Sequence, residues 1–596
     1  MNELPLIERR PIPSIPEAMA DLNPRLAQVL ALRGITHPDQ LDLGLSRLLA
    51  PADLPGIEVA AERIAAAVQA DEPILIVGDF DADGATATTL CVRALRAFGT
   101  TRVAYTLPDR QRHGYGLSPA LLRDWLDEAA EPPRLLITVD NGVAAHAGVA
   151  AAQAMGTEVV VTDHHLPGTE LPPATAIVNP NLAGSAFGSP SLAGVGVAFY
   201  VLAAVRDALT RADWFTDSRP RPNLAQWLDL VAVGTVADVV PLDDNNRRLV
   251  AQGLARIRAG QCLPGISALF AVAGKDPRQA ASTDLGFVVG PRLNAAGRLE
   301  DMRLGVACLL ADDPAEARHR AIELDRINQE RRAVEQEMLA SLGPDARSDA
   351  LSLADLPRPV NPADWVRYDV GFHQGVIGIV AGRLKERWQR PVFVFAPEDP
   401  EAGDAPDALI KGSGRSMPGV HLRDVLVAMA TAEPELMRAF GGHAMAAGVS
   451  IERRQLDRFR GLFAGEMAKF ADRLPERLVI PSDGGLGPGE LTVDFAETLR
   501  DCTPWGTDCP EPVFDNRFEV LDRVPMSGGK HWRLTLRLRD PDRPEPSAGA
   551  SYTAVWFGIG DRLPANRYLH LAYRLNINHF RGRQSLQLMV VGGLVA

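Results

Sequence analysis

The chain has 596 residues, 46% of them hydrophobic, with 62 lysines and arginines against 75 aspartates and glutamates and a formal net charge of −13. That much apolar material supports three or more domains, and the acidic balance argues against indiscriminate binding to long duplex nucleic acid. Five cysteines without a CxxC spacing give neither a disulfide framework nor a zinc pattern, MNELPLIERRPIP lacks a signal-peptide core, and no apolar run reaches bilayer length, so a cytoplasmic protein without a membrane role is expected.

Residues 1–55 read as a proline-punctuated N-terminal extension with one helical pattern, Pro24 to Gly34. From 56 to 310, apolar strand runs alternate with helical patterns such as Leu117 to Ala129, Gly142 to Met155 and Val195 to Leu209. This alternation predicts α/β architecture, a parallel sheet covered by helices on both faces. The first strand run, Ile74 to Val77, empties into Gly78-Asp79-Phe80-Asp81-Ala82-Asp83-Gly84, ahead of a helix predicted over Ala85 to Ala97. Three clustered carboxylates repel one another unless a cation neutralises them. A second strand, Leu135 to Val139, ends in Asp140-Asn141-Gly142, and a third, Glu158 to Thr162, ends in Asp163-His164-His165. Asp238 interrupts the otherwise apolar stretch Gly234 to Pro241. Each residue taken singly reads as well as a turn or helix-end residue. Ligands of open α/β sheets, however, bind outside the carboxyl ends of the strands, where these groups can converge. A mixed carboxylate and imidazole set suits Mn²⁺ or Mg²⁺ at a hydrolytic site.

Residues 311–345 carry charged and apolar positions at helical spacing, predicting a long connecting helix with a solvated face. A smaller α/β domain is expected over 346–470, with HQGVIGIVAGRL (His373 to Leu384), GSGRS (Gly412 to Ser416) and GGHAMAAG (Gly441 to Gly448). Such glycines allow a backbone cradle for phosphate, with Arg415 or His443 adding charge-assisted bonds; tight sheet packing explains either run equally well. Over 471–596, short alternating runs such as Trp532 to Leu538, Tyr552 to Phe557, Tyr568 to Ile577 and Ser585 to Val591 predict a small β-barrel. Phe514, Trp532 and Trp556 there suit base stacking, with barrel core as the alternative role.

GDFDADGATA, TVDNG, VTDHH and GTVADVVPL, in this order, resemble the first four motifs of the DHH phosphoesterase superfamily. With FVVGPRLNAAGRL (Phe287 to Leu299) and the later glycine-rich elements, the chain is most similar to the superfamily's RecJ branch of bacterial single-strand-specific DNA exonucleases, from about residue 20 to 590. The resemblance implies a DHH catalytic domain, a DHH-associated domain and a C-terminal OB-fold. It implies two-metal hydrolysis of phosphodiesters, releasing mononucleotides 5′ to 3′ from single-stranded DNA in recombination and repair. With that ligand set, Asp140 is expected to bridge two Mn²⁺ or Mg²⁺ ions, Asp83, His164 and Asp238 to complete one site, and Asp81 with Asp79 to form the other. His165 is expected to contact phosphate or aid the leaving group. Ser413 and Arg415 resemble the pair that senses a 5′ phosphate, with Arg292 or Arg298 assisting and Asn294, His373, Ser416, Gly442 and His443 in the same phosphate-binding set. Single-strand binding protein and a RecQ-type helicase are the partners implied, and a monomer is expected. One departure is Pro504 to Pro512, which lacks a glycine and an asparagine of the branch's PFGxGNPEP and leaves that loop's geometry open. The alternatives are a nanoRNase or cyclic-dinucleotide phosphodiesterase, an inorganic pyrophosphatase, and a non-catalytic replication or repair scaffold.

Overall fold

A computed structural model describes residues 6–110, 112–129, 131–342, 358–539, 550–580 and 582–595. The chain divides into two compact units: Pro13–Gln329 with Thr498–Glu511, and Glu330–Glu497 with Pro512–Ala596 and the N-terminal Met1–Ile12.

In the first unit, β1 (Ile74–Val77), β2 (Val103–Thr106), β3 (Leu135–Val139), β4 (Glu158–Thr162) and β5 (Ala176–Val178) form a parallel sheet of order β2-β1-β3-β4-β5. Every residue of β1 and β3 is buried, which is why these strands read as unbroken apolar runs rather than alternating ones. Strand order reverses between β1 and β3, so the loops after these two strands open at the switch point of the sheet. Helix α1 (Ala82–Phe98) starts three residues before the predicted Ala85, because Asp81 accepts backbone N–H bonds from Asp83 and Gly84 and caps it. The helix predicted from Leu117 begins at Pro119 behind a Ser118 cap, and that predicted from Gly142 begins at His146. Helices α2 (Gly194–Arg211) and α3 (Leu228–Ala237) pack on α1, and α3 is buried over most of its length. Next come α4 (Gly290–Leu299) and α5 (Pro314–Ser341), a continuous helix of 28 residues. The predicted boundary at 345/346 lies outside the described residues.

In the second unit, β6 (Val366–Tyr368), β7 (Val392–Pro397), β8 (Leu409–Arg415), β9 (Ala439–Gly442) and β10 (Ala446–Glu452) form a mixed sheet of order β9-β10-β8-β7-β6. Helix α6 (Ile377–Trp388) packs against β7 and β8. The C-terminal strands β11 (Phe514–Met526), β12 (His531–Leu538), β13 (Ser551–Trp556), β14 (Tyr568–Phe580) and β15 (Arg583–Val595) close a barrel in the order β11-β12-β13-β15-β14. A strand in the N-terminal extension, Leu6–Arg9, pairs in parallel with Val479–Ser482, and no sequence signal announced it. Among the described residues, no helix is long and apolar enough to cross a membrane.

Candidate metal centre and phosphate cradle

The acidic loop after β1, Asp140 after β3, the His pair after β4 and Asp238 at the end of α3 meet at the switch point. Three groups hold their ligand atoms within 4.8 Å of one another: Asp83 with His164 and Asp238, Asp79 with Asp81 and Asp140, and Asp140 with His164 and His165. His164 Nε2 lies 3.1 Å from Asp140 Oδ1 and 3.5 Å from Asp238 Oδ2. Local structure forces this convergence. Asp140 sits at φ 62°, a left-handed backbone that turns its carboxylate inward, and Gly194 opens α2 so close to it that a Cβ would fall 2.5 Å from the Asp140 Cβ. Asp83 accepts N–H bonds from Gly194 at 2.6 Å and Val195 at 2.9 Å, placing its carboxylate on the positive end of α2.

Burial pushes the carboxyls of Asp79, Asp140 and Asp238 well above their ordinary range, and neighbouring carboxylates push them further. Asp83 is raised to about 7 for the same two reasons, despite its backbone bonds. His164 moves the other way, to about 4, because burial disfavours the imidazolium, so its ring is neutral and free to act as a ligand. Asp79 Oδ1, Asp140 Oδ1 and His164 Nε2 are buried and make no hydrogen bond. Orphaned acceptors in a mutually repulsive cluster fit divalent cations, which would supply the missing bonds and cancel the repulsion together.

Several residues outside the predicted set shape the centre. Asp163 accepts N–H bonds from Val143, His164 and His165 and a 2.7 Å bond from the His165 ring Nδ1. Burial opposes the charge on both partners of that bond, but pairing prevails, holding Asp163 below and His165 above its usual range. Tyr115 donates to the Asp140 carbonyl at 3.0 Å and meets His165 edge-on. Asn141 ties the loop at Leu117 to β1 and β3 through the Val77 and Val139 carbonyls. Asp163 was legible as the aspartate of VTDHH and Asn141 as the asparagine of TVDNG, while Tyr115 lies just ahead of the helix predicted from Leu117.

The predicted phosphate contacts divide between the two units. In the first, Asn294 Oδ1 accepts from Ala82 N–H at 2.8 Å, so its side chain braces the acidic loop. Arg292 is buried, donating to the Val288 carbonyl and pairing with Asp325 at 2.8 Å, so its guanidinium is already engaged. Arg298 is half-buried in the last turn of α4. In the second unit, Arg415 donates to Ser413 Oγ at 3.0 Å, and Gly378 in the first turn of α6 lets both close in: a Cβ there would lie 2.9 Å from Arg415 Nη2 and 3.1 Å from Ser413 Oγ. Ser413 and Arg415 thus lie at the positive end of a helix, a favourable place for an anion. Across the sheet Ser413 is paired with Gly448 and Gly448 with Gly441, where an added Cβ would meet nothing within 4 Å, leaving an open floor beside the pair. Gly412 and Gly414 face inward and make room for Phe395 and Phe393, so tight packing explains those two glycines. Ser416 donates to the Val420 carbonyl and is buried, a turn brace rather than a ligand contact. His373 accepts from Gly375 N–H ahead of α6, while His443, beside the left-handed Gly442, is exposed.

The barrel corrects two of the stacking assignments. Phe514 and Trp556 are buried among the barrel's own apolar residues and offer no face to a base. Strand alternation turns them inward, which the spacing of aromatics alone does not reveal. Trp532 is partly exposed and donates to the Gly560 carbonyl, while exposed Phe557 packs edge-on against His531.

Comparison with known proteins agrees in domain order. The DHH family N-terminal domain matches residues 73–235, the DHHA1 domain 364–469 and the RecJ OB domain 482–592. The chain is 45% identical to the single-stranded-DNA-specific exonuclease RecJ of Salmonella typhimurium, covering 99% of each chain, and 44% identical to that of Escherichia coli, covering 98% of each. It is similar to the crystal structure of Thermus thermophilus RecJ in complex with Mn²⁺, with a TM-score of 0.76 and 28% identity over all of this chain and 79% of that one. The Mg²⁺ complex of that protein gives a TM-score of 0.70 at 27% identity, over 99% of this chain and 78% of that one. With the acidic switch point, the glycine-floored sheet and the closed barrel following one another as those relatives' domains do, the chain belongs to the RecJ family of the DHH superfamily.

Proposed function

We propose that this protein is a metal-dependent exonuclease that degrades single-stranded DNA to mononucleotides from the 5′ end. The observation that carries the reading is the cluster of buried, unbonded ligand atoms on Asp79, Asp140 and His164, joined to full-length similarity with single-stranded-DNA-specific exonucleases. Asp83, His164 and Asp238 would hold one Mn²⁺ or Mg²⁺, and Asp79 and Asp81 a second, with Asp140 shared. When bound, such ions supply the positive charge that polarises a phosphodiester and stabilises the departing oxygen. The chain's own residues do the positioning: Asp163 fixes the His165 ring, Tyr115 holds the Asp140 turn, and His165 is the contact or proton source at the leaving group. Ser413 and Arg415, on β8 beside the start of α6, receive the terminal phosphate, with His443 assisting. The family resemblance supports a cytoplasmic monomer acting in recombination and repair with single-strand binding protein and a RecQ-type helicase.

The barrel and its RecJ OB domain match favour long strands over the di- to pentanucleotides of a nanoRNase. The test compares turnover on a long single strand, the same sequence as blunt duplex, and a trinucleotide, with and without a chelator. Turnover confined to the long single strand and abolished by chelation is expected; preference for the trinucleotide would replace the reading with the nanoRNase one.

A further inference from the structure

Two exposed apolar residues flank the end of α3 that presents Asp238. Val239, the next residue, is 66% exposed, and Phe287 is 75% exposed. Phe287 lies in a π-helical turn, Leu285–Val289, that runs directly into α4. That turn packs on the end of α3: a Cβ at Gly286 would lie 3.3 Å from Val236 Cγ1, and one at Gly290 3.1 Å from the Ala237 Cβ. Phe287 and Val239 therefore both border the last turn of the helix that presents Asp238. Further along, α4 reaches the acidic loop through the bond from Ala82 N–H to Asn294, and Gly297 abuts the Phe80 carbonyl. The segment carrying Phe287 thus runs along the edge of the metal centre from Asp238 to the loop after β1.

Both residues occupy backbone that ordinary packing does not select. Val239 has φ 64°, a left-handed conformation unusual for a β-branched residue, and π-turns are rare and gather at functional sites. Neither exposed side chain is part of the core, so both are available for contact with a ligand.

We propose that Phe287 and Val239 form a stacking platform for an unpaired nucleobase of the strand whose phosphodiester lies at the metal centre. The inference rests on the exonuclease reading above and deepens it, because it places part of the single-strand selection in the catalytic unit itself. Carboxylates and cations take the phosphate; a flat apolar surface beside them takes the adjoining base. In duplex DNA both faces of a base are stacked and its edge is paired, so the platform engages only an unpaired strand. Every base has a π-face, and the contact is tolerant of sequence.

The test uses the full chain with Mn²⁺ and a set of 5′-phosphorylated single strands, each with one abasic site at a different position from the 5′ end. Wild type, Phe287→Ala and Phe287→Trp are compared by kcat and KM, with thermal midpoints measured alongside. On intact strands Phe287→Ala raises KM by about tenfold, an effect on KM rather than kcat, and Phe287→Trp restores it. At one position an abasic site costs wild type a similar factor and costs Phe287→Ala nothing more. Wild-type KM in Phe287→Ala, or a loss that is the same on intact and abasic strands at every position, overturns the platform while leaving the exonuclease standing. A wild-type protein inactive on every single strand overturns both.

Discussion

The His165 ring donates from Nδ1 to Asp163 Oδ1 at 2.7 Å, while that same oxygen accepts the backbone N–H groups of His164 and His165. One carboxylate therefore sets the backbone of the whole motif and the orientation of its second imidazole, leaving the first ring to face Asp140 and Asp238. Asp163→Asn replaces a charged acceptor with a neutral amide. Loss of a carboxylate that orients a histidine beside a metal centre typically costs about 10- to 100-fold, and kcat on a single strand is expected to fall by that much. His165→Ala in the same background adds little further, because the two act as a unit. Independent, multiplicative losses in the double variant would show that the hydrogen bond is not what Asp163 contributes.

Four crowded carboxyls destabilise the metal-free protein, since burial and mutual repulsion raise all of Asp79, Asp83, Asp140 and Asp238. Asn tolerates the left-handed backbone at position 140, so Asp140→Asn relieves repulsion without straining the turn. In chelator its thermal midpoint rises above wild type, by about 1–2 °C for each kcal/mol relieved in a unit of this size. With Mn²⁺ the order reverses, because wild type binds the cation more strongly and is stabilised by that binding. A midpoint in chelator below wild type would show that the Asp140 carboxylate is held by protein bonds rather than waiting for a cation.

Arg415→Ala removes a guanidinium from the start of α6 and leaves the metal centre untouched. Charge-assisted hydrogen bonds contribute about 1.5–3 kcal/mol, so the preference for a 5′-phosphate over a 5′-hydroxyl strand falls about tenfold or more. Mn²⁺ titration of the variant matches wild type. Equal loss of rate on the two strands would remove Arg415 from terminal recognition.

Asp515 joins the N-terminal strand to the barrel, accepting from Arg9, Ser482 and His570. Burial alone would raise its pKa, but the bonds from His570, Arg9 and Ser482 together hold it far below the ordinary 3.8. A depressed carboxyl stabilises the fold fully above its unfolded value and loses that contribution as pH falls toward the folded one. Wild type is therefore expected to lose stability steeply below about pH 4, and Asp515→Asn to start lower and lose less over the same range. Parallel denaturation midpoints for the two proteins from pH 5 to pH 3 would exclude this lock.

Strand ends were the most legible part of the chain. Isolated apolar runs ending in Asp79–Asp83, Asp140 and Asp163–His165 combine a buried parallel strand with residues that cannot belong to a core, and both signals are local. The convergence of Asp238 was less so, since a helix end and a strand end look alike in an apolar stretch. Pairing choices were not legible: Arg292 reads as a phosphate contact until Asp325 is seen beside it, and Ser416 until its bond to Val420 is seen. Barrel aromatics failed for a related reason, because one step of register decides whether Phe514 faces base or core. The parallel pairing of Leu6–Arg9 with Val479–Ser482 joins segments far apart in sequence, and nothing in either strand specifies the other.

The central claim is tested most directly by incubating the protein and its Asp140→Ala variant with Mn²⁺ and a long single-stranded oligonucleotide labelled at one end or the other. The account predicts that labelled mononucleotide appears at once from the 5′-labelled strand and only late from the 3′-labelled one, and that neither appears with the variant. Early release from the 3′ label, or undiminished release by the variant, would contradict it.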